Sequence, residues 1–152
     1  MRIPVALARE RFLASPVARL ATVDGSGAPH LVPVTFACVA RDGVDRLVFA
    51  VDHKPKTTTR LRRLDNIAAN PAVCFLVDEY DDDWARLWWV RADARAEVLD
   101  GGLRDAALAA LTGRYRQYRE RVPDGPVVGA RVVRWTGWAA ADPAPGAATT
   151  AT

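Results

Sequence analysis

Cysteine is scarce in this sequence, which has only Cys38 and Cys74 in 152 residues. The two lie far apart in apolar surroundings, so we expect reduced, buried thiols and no disulfide. No apolar run approaches the roughly 20 residues that a membrane span needs. The first residues are charged and amphipathic, without the apolar core of a signal peptide. These absences favour a cytoplasmic protein that does not associate with membranes.

The patterns of metal sites and of nucleophilic catalysis are also missing. The two histidines, His30 and His53, do not have the spacing of metal ligands, and no cysteine pair accompanies them. The only serines, Ser15 and Ser26, lie at turn signals, and the chain has neither a Gly-x-Ser-x-Gly elbow nor a P-loop. The acidic run 78–83 lacks the glycine and the distal glutamate of a calcium loop. We therefore predict no metal site and no obligatory catalytic dyad.

The composition indicates one globular domain. Half of the residues are hydrophobic and the net charge is only +3, which together allow a real core and argue against general disorder. The Ala-, Pro-, Thr- and Gly-rich end differs from the rest of the chain. We expect residues 1–139 to form the domain and residues 140–152 to form a disordered tail.

The hydrophobic periodicity predicts a mainly β fold with peripheral helices. Apolar spacing indicates a helix over 5–13, a helix from 57 to 69 and a helix at about 103–120. Strands are expected at 17–23, 30–40, 46–51, 72–77, 86–98 and 127–139, and the hairpin signal Asp24-Gly25-Ser26-Gly27 favours antiparallel pairing. Six such strands leave exposed edges unless the sheet closes, so we predict a small six-stranded antiparallel barrel.

The most informative segment follows the third strand. Lys54 and Lys56 flank Pro55, and Thr57 begins the next helix. Free N–H groups and the positive end of the helix dipole attract anions at such a position, and Arg60 adds a further cation one turn later. The segment could therefore hold a phosphate by charge-assisted bonds, or it could simply be a solvated basic loop.

Several segments, taken in their order along the chain, resemble the pyridoxamine phosphate oxidase-like split barrel, an FMN-binding fold of Greek-key type. The resemblance covers about residues 5 to 139. It is carried by Lys-Thr-Thr-Thr-Arg-Leu at 56–61, Asn70-Pro71 with the strand 72–77, the first hairpin at 19–36, the strand 88–98, and Arg-Trp-Thr-Gly-Trp at 134–138. The last of these resembles the closing strand of the deazaflavin-dependent members. The chain lacks the extended carboxy-terminal Arg-rich motif of true pyridoxamine phosphate oxidases, which argues against pyridoxal phosphate synthesis.

The resemblance implies a homodimer with a cofactor groove at the interface of two barrels. It further implies that two strand segments face the ring system and that the basic loop holds the phosphate. The ring-facing residues would be Val32, Pro33, Val34, Thr35, Ala50, Val51 and Asp52, and the phosphate-binding residues Lys54, Lys56, Thr57 and Arg60. The subgroup that it most suggests uses coenzyme F420, a deazaflavin with a phosphate and an acidic oligoglutamate tail, for which several clustered cations are suitable.

Tryptophan is abundant, and two of the five tryptophans are adjacent. Neighbouring residues of a strand face opposite sides, so we expect one of Trp88 and Trp89 to face the core and the other to face outwards. An exposed tryptophan is costly without a partner. The outer one is a candidate for the dimer interface or for a wall against which the ring stacks.

The function expected from these observations is F420-dependent hydride transfer to a small electron-poor organic acceptor, with the chemistry supplied by the cofactor. An FMN-dependent oxidoreductase of the same fold is the first alternative. A non-catalytic protein that stores or carries a flavin or haem is the second. A nucleic-acid-binding domain is disfavoured because acidic residues interrupt the basic ones along most of the chain.

Overall fold

A computed structural model describes residues 1–51 and 58–141, with residues 58–61 described by their backbone alone. The helices are α1 (Val5–Ala14), α2 (Thr58–Ala69), α3 (Gly101–Arg114) and α4 (Arg116–Glu120), and a short 3-10 turn covers Trp84–Arg86. The strands are β1 (Ala18–Val23), β2 (Pro29–Val34), β3 (Ala37–Arg41), β4 (Val44–Ala50), β5 (Ala72–Glu79), β6 (Trp88–Val98) and β7 (Val127–Ala139). Within the described ranges, every helix is too short or too polar to cross a membrane.

The strands form one antiparallel sheet in the order β2-β1-β5-β6-β7-β4-β3. Its two edge strands, β2 and β3, follow each other in the chain and are joined only by Thr35 and Phe36. The sheet therefore curls until its edges approach at this corner. The prediction of a mainly β, antiparallel fold with helices is confirmed. The six-strand count is wrong, and in the described residues no ladder joins β2 to β3, so the sheet is not a closed barrel.

The extra strand arises because the predicted strand 30–40 is broken by a bend at Thr35–Phe36. Pro33 lies on the edge strand β2, where its missing N–H interrupts no second ladder. At the bend, the backbone groups of Phe36 bond to side chains of the α3–α4 region in place of a neighbouring strand. The two halves of the predicted strand can then pair with different partners, β2 with β1 and β3 with β4.

Two hydrophobic clusters lie on opposite sides of the curled sheet. The larger cluster fills its inside and includes the buried rings of Phe12, Phe36, Phe49 and Phe75. The smaller cluster lies outside, where Ala107 and Leu111 of α3 cover β3, β4 and β7. The outer face of β2, β1, β5 and β6 has no such helical cover within the described part of the chain.

An ion pair attaches α1 to β4. Arg9 donates to both carboxylate oxygens of Asp45, from Nε at 2.7 Å and from Nη2 at 2.9 Å, and Trp135 Nε1 donates to the same carboxylate at 3.2 Å. The hydrogen bond from Arg9 is the largest cause of the lowered pKa of Asp45, and the bond from Trp135 adds to it. The charged form of Asp45 therefore stabilises the folded state.

The lowered pKa predicts how stability changes with pH. Because the folded pKa lies below the unfolded value of about 3.9, the contribution of Asp45 is complete above that value and is lost as the pH falls through the folded pKa. We expect Asp45→Asn to be less stable than the wild type at neutral pH and the difference to shrink in acid. Urea unfolding of both proteins across a pH series measures this, and a difference that stays constant down to the acid limit would contradict it.

Candidate functional site

Two of the segments predicted to face a cofactor meet beside α4. The Oγ1 atom of Thr35 lies 3.0 Å from the hydroxyl oxygen of Tyr118. Tyr118 also borders a small cavity of about 40 Å³ together with Ala50, Val51 and Arg121. The end of β2 and the end of β4 are thus connected through one tyrosine, at the corner where the sheet changes from its covered to its uncovered outer face.

The bend at this corner is held by side chains from far along the chain. The hydroxyl of Tyr115 accepts from the N–H of Phe36 at 3.0 Å and lies 2.8 Å from the carbonyl oxygens of both Phe36 and Pro16. Arg114 donates to the carbonyl of Phe36 at 2.8 Å and also to that of Ser15. Tyr115 itself has an extended backbone and separates α3 from α4, so the single helix expected at 103–120 is two helices.

The predicted ring-facing residues of β2 do not all point the same way. Val34 is buried in the inner core, and Val32 packs against that core from the same strand face. Pro33 is exposed on the opposite face. Only the Pro33 and Thr35 side chains are therefore free to meet a ligand outside the sheet, whereas Val32 and Val34 could contribute backbone groups.

The predicted phosphate loop lies mostly outside the described residues. Asp52, Lys54, Lys56 and Thr57 fall in the segment 52–57, and the side chain of Arg60 also lies outside the described part, so their assignment stays a prediction. On the described part of α2, Arg62 is exposed and Arg63 is half-buried. Burial lowers the pKa of Arg63, and its Nε has no hydrogen-bond partner among the described residues.

A groove of about 550 Å³ lies on the uncovered outer face of the sheet. The side chains of Trp88 and Trp89 both border it, with apolar residues of β1, β2 and β5 opposite. Both tryptophans are half-buried, and Trp88 also packs against the inner core and donates from Nε1 to Glu79 at 2.9 Å. Trp88 thus lies on the core side, as expected for one of the pair, although its ring also reaches the border of the groove.

Charged groups border the same groove. Arg19 lies 3.7 Å from Asp78, and both line the groove together with Arg91. Arg91 Nε lies 3.3 Å from Asp93, in a geometry too poor for a hydrogen bond, and is buried without another partner in the ranges that the structure describes. The Nε atom is covered, but the Arg91 side chain as a whole is 40% exposed at the border of the groove, where its positive charge can attract an anionic ligand.

The Trp88–Trp89 wall of the groove and the Thr35 corner lie at the same level of the sheet but not side by side. Across the strands, Pro33 aligns with Arg19, Arg19 with Leu76, and Leu76 with Arg91. The end of β2 is therefore three strand spacings, about 14 Å, from the start of β6. Thr35 and Trp89 of the same chain are too far apart to hold the same edge of one ring.

Tyr118, Arg121, Arg19 and Arg91 were not singled out as site residues from the sequence. Tyr115 and Tyr118 share the apolar face of the predicted helix with Leu111, which is typical of core packing. The signal that could have distinguished them is the hydroxyl group, because a tyrosine at a core position needs a hydrogen-bond partner.

The two cysteines are half-buried and unpaired. Burial raises the pKa of each thiol to about 11, with the carboxylates of Asp45 and Asp93 adding to the effect at Cys38 and Cys74 respectively. Little thiolate is present at neutral pH, so neither cysteine is an activated nucleophile, although Cys74 borders the groove.

Comparisons with known proteins agree with this architecture. The family model described as pyridoxamine 5'-phosphate oxidase matches residues 6–139, and no curated protein matches the sequence. An FAD-binding protein from Mesorhizobium loti is similar, with a TM-score of 0.61, 22% identity and coverage of 90% of this chain and 95% of that one. The haem storage protein from Vibrio cholerae is similar with a TM-score of 0.63 and 18% identity, and the match covers 91% of this chain and 95% of that one. A conserved hypothetical protein from Mycobacterium tuberculosis is similar with a TM-score of 0.66 and 21% identity, and the match covers 91% of this chain and 86% of that one. At these identities the likeness shows the fold alone.

Proposed function

We propose that this chain, which belongs to the pyridoxamine 5'-phosphate oxidase family, binds a flavin-type cofactor and acts as an oxidoreductase. The observation that carries the proposal is the groove walled by Trp88 and Trp89. Its volume of about 550 Å³ falls within the roughly 300–1,000 Å³ of small-molecule sites. Indole rings offer the flat apolar surface on which an aromatic ring system stacks.

The charges around the site fit a cofactor with an anionic tail. Arg19 and Arg91 border the groove with side chains that are 48% and 40% exposed, and Arg91 pairs with Asp93 at 3.3 Å. The carboxylate of Asp78 lies on the same border, where it is paired with Arg19. When bound, such a cofactor would supply the hydride chemistry, and the chain's own residues would bind it, orient it and leave one face open to an acceptor.

Within the family we favour coenzyme F420 over FMN. Both molecules present a phosphate, but only F420 adds an acidic oligoglutamate tail, which needs further cations. The predicted phosphate loop contains Lys54 and Lys56, and Arg60 and Arg62 follow within the first turns of α2. Arg62 is exposed and has its charge available at the surface.

Two further candidates come from the similar structures. The FAD-binding protein from Mesorhizobium loti makes an FMN- or FAD-dependent oxidoreductase the second candidate. The haem storage protein from Vibrio cholerae makes a non-catalytic binder of haem or flavin the third. Both would use the same fold and the same groove. The second candidate differs from the first in its cofactor, and the third differs from it in having no turnover.

A turnover assay distinguishes the enzyme from the carrier. The purified protein is mixed with reduced F420 and a panel of electron-poor acceptors containing conjugated carbonyls, imines and quinones, and reoxidation of the cofactor is followed by absorbance. We expect protein-dependent oxidation with at least one acceptor class. Tight cofactor binding without turnover on any of them would instead assign the chain to the non-catalytic binders.

The uncovered face of the sheet supports a homodimer. Leu31 has 67% of its surface exposed and Leu76 has 37%, and both border the groove. A contiguous apolar surface on a sheet face is typical of an interface. We expect a second copy to cover this face. A two-fold arrangement that brings the Trp88–Trp89 wall of one protomer to the Thr35 corner of the other would overcome the separation of the two within one protomer.

Leu31→Asp is expected to break this dimer. Two-fold symmetry would bury two unpaired carboxylates in the interface, so the dissociation constant should rise about 100-fold or more. Sedimentation equilibrium measures it. The matched control is Val5→Asp on α1, which places the same charge at a residue that is 60% exposed away from the groove. A wild type that stays monomeric throughout the micromolar range would contradict the dimer.

A further inference from the structure

The hydroxyl groups of Tyr118 and Thr35 form an isolated pair at the corner of the sheet. Their oxygens are 3.0 Å apart. In the described residues, Tyr118 is the one hydrogen-bond partner of the Thr35 side chain. The phenol is the more acidic of the two hydroxyls and hence the better donor. We therefore take Tyr118 as the donor, which leaves the proton of Thr35 to bond another acceptor.

Tyr118 is itself held in place. Its ring packs edge-to-face on Tyr115, with centroids 5.7 Å apart and planes at 80°. Tyr115 is in turn fixed through its hydroxyl to the backbone of Phe36, the residue after Thr35. Both ends of the Thr35–Tyr118 pair are therefore attached to the same bend, and the direction of the Thr35 hydroxyl is set before any ligand arrives.

The surroundings of the pair open towards the outside of the sheet. Tyr118 borders the small cavity with Ala50 and Val51, where β4 ends and the predicted phosphate loop begins. Thr35 is half-buried and follows the exposed Pro33 on the same strand. A ring that lies over the exposed Pro33 on this outer face would bring one of its polar edges close to Thr35.

We propose that Tyr118 is a positioning residue that directs the Thr35 hydroxyl to donate to a ring carbonyl of the bound flavin or deazaflavin. This inference rests on the proposed function and adds to it the residue that orients the ring. Negative charge builds up on the carbonyl edge when the ring is reduced, and hydrogen bonds to charged acceptors are stronger than those to neutral ones. The pair should therefore favour the reduced cofactor over the oxidised one.

A double-mutant cycle tests the proposal. Tyr118→Phe, Thr35→Val and the double variant are titrated with F420 and separately with FMN, and the midpoint potential of the bound cofactor is measured in each. We expect each single variant to bind the reduced cofactor about five- to tenfold more weakly and to shift the potential to more negative values. The double variant should be no worse than the single variants, because the two residues act as one unit.

Two controls separate positioning from structural damage. Thr35→Ser keeps the hydroxyl and should retain wild-type affinity, and Thr112→Val removes a hydroxyl that bonds the carbonyl of Ala109 within α3. Fully additive effects in the double variant, or an unchanged potential in both single variants, would overturn the role of Tyr118. If the wild type binds neither F420 nor FMN, both the proposed function and this inference are overturned. If the wild type binds and Tyr118→Phe keeps the same affinity and potential, this inference alone is overturned.

Discussion

Phe36→Ala should lower the free energy of unfolding by about 3–5 kcal/mol, the usual cost of truncating a buried phenylalanine. Phe36 is fully buried, its ring centroid lies 5.1 Å from that of Phe12, and the guanidinium of Arg114 lies 4.6 Å from the same ring centroid. Removing the ring leaves a cavity at the bend that joins the two edges of the sheet. It also removes the surface on which Arg114 rests while it bonds the backbone.

Urea unfolding at a fixed protein concentration measures this effect, since dimerisation would otherwise contribute to the apparent stability. Trp84→Ala is the matched control, because the 70% exposed Trp84 ring should contribute no more than about 0.5 kcal/mol. A loss below about 1 kcal/mol for Phe36→Ala would mean that the ring is not enclosed as described.

The double substitution Lys54→Ala with Lys56→Ala should weaken cofactor binding by roughly 100- to 10,000-fold. Each lysine is proposed to make a charge-assisted hydrogen bond to the phosphate, worth about 1.5–3 kcal/mol, and tenfold in affinity corresponds to about 1.4 kcal/mol. These are the only two lysines of the chain, where arginine supplies every other cationic side chain apart from histidine. Because the sequence is compatible with a solvated basic loop here, and solvated charges contribute little to stability, we expect the folded state to be little affected.

The control for the lysine pair removes the same charge elsewhere. Arg41 and Arg131 are both exposed and lie on β3 and β7. Their double alanine variant should bind the cofactor within a few-fold of the wild type. An affinity that is unchanged in Lys54→Ala with Lys56→Ala would disprove the phosphate assignment, and equal losses in both double variants would indicate a general charge effect without a specific phosphate site.

Elements whose cause is local could be predicted from the sequence. The turn at Asp24-Gly25-Ser26-Gly27 joins β1 to β2 as expected: the carboxylate of Asp24 accepts from Ser26 and from the N–H of Ala28, and Gly27 has a φ of +89° that favours glycine. The helix that ends before Asn70-Pro71 and the long last strand also agree with their patterns. In each case the deciding groups lie within a few residues of one another.

The break at Thr35–Phe36 could not be predicted in this way. The side chains that bond the Phe36 backbone belong to Arg114 and Tyr115, which lie 78 and 79 residues further along the chain. Neither a glycine nor a bend-specific turn marks the position, and the alternating pattern simply continues through it. The same long-range bonds explain why helix 103–120 divides at Tyr115, whose own sequence context is compatible with an unbroken helix.

The candidate site was predictable in part for a similar reason. Residue types and their order pointed to the two strand ends and to the adjacent tryptophans. The contacts that connect Thr35, Tyr118 and the end of β4 depend on how α3 and α4 pack against the sheet. Likewise, the distance between the Trp88–Trp89 wall and the Thr35 corner follows from the strand order, which periodicity alone does not determine.

The proposed function requires that this chain bind a flavin-type cofactor, with F420 preferred. Equilibrium titration of the wild-type protein, purified without added flavin, tests it most directly by following tryptophan fluorescence with oxidised F420 and separately with FMN. We expect quenching that saturates at one F420 per protomer, with a dissociation constant in the micromolar range or below, and clearly weaker binding of FMN. Saturable binding of FMN alone would move the chain to the flavin branch, and no binding of either cofactor would contradict the claim.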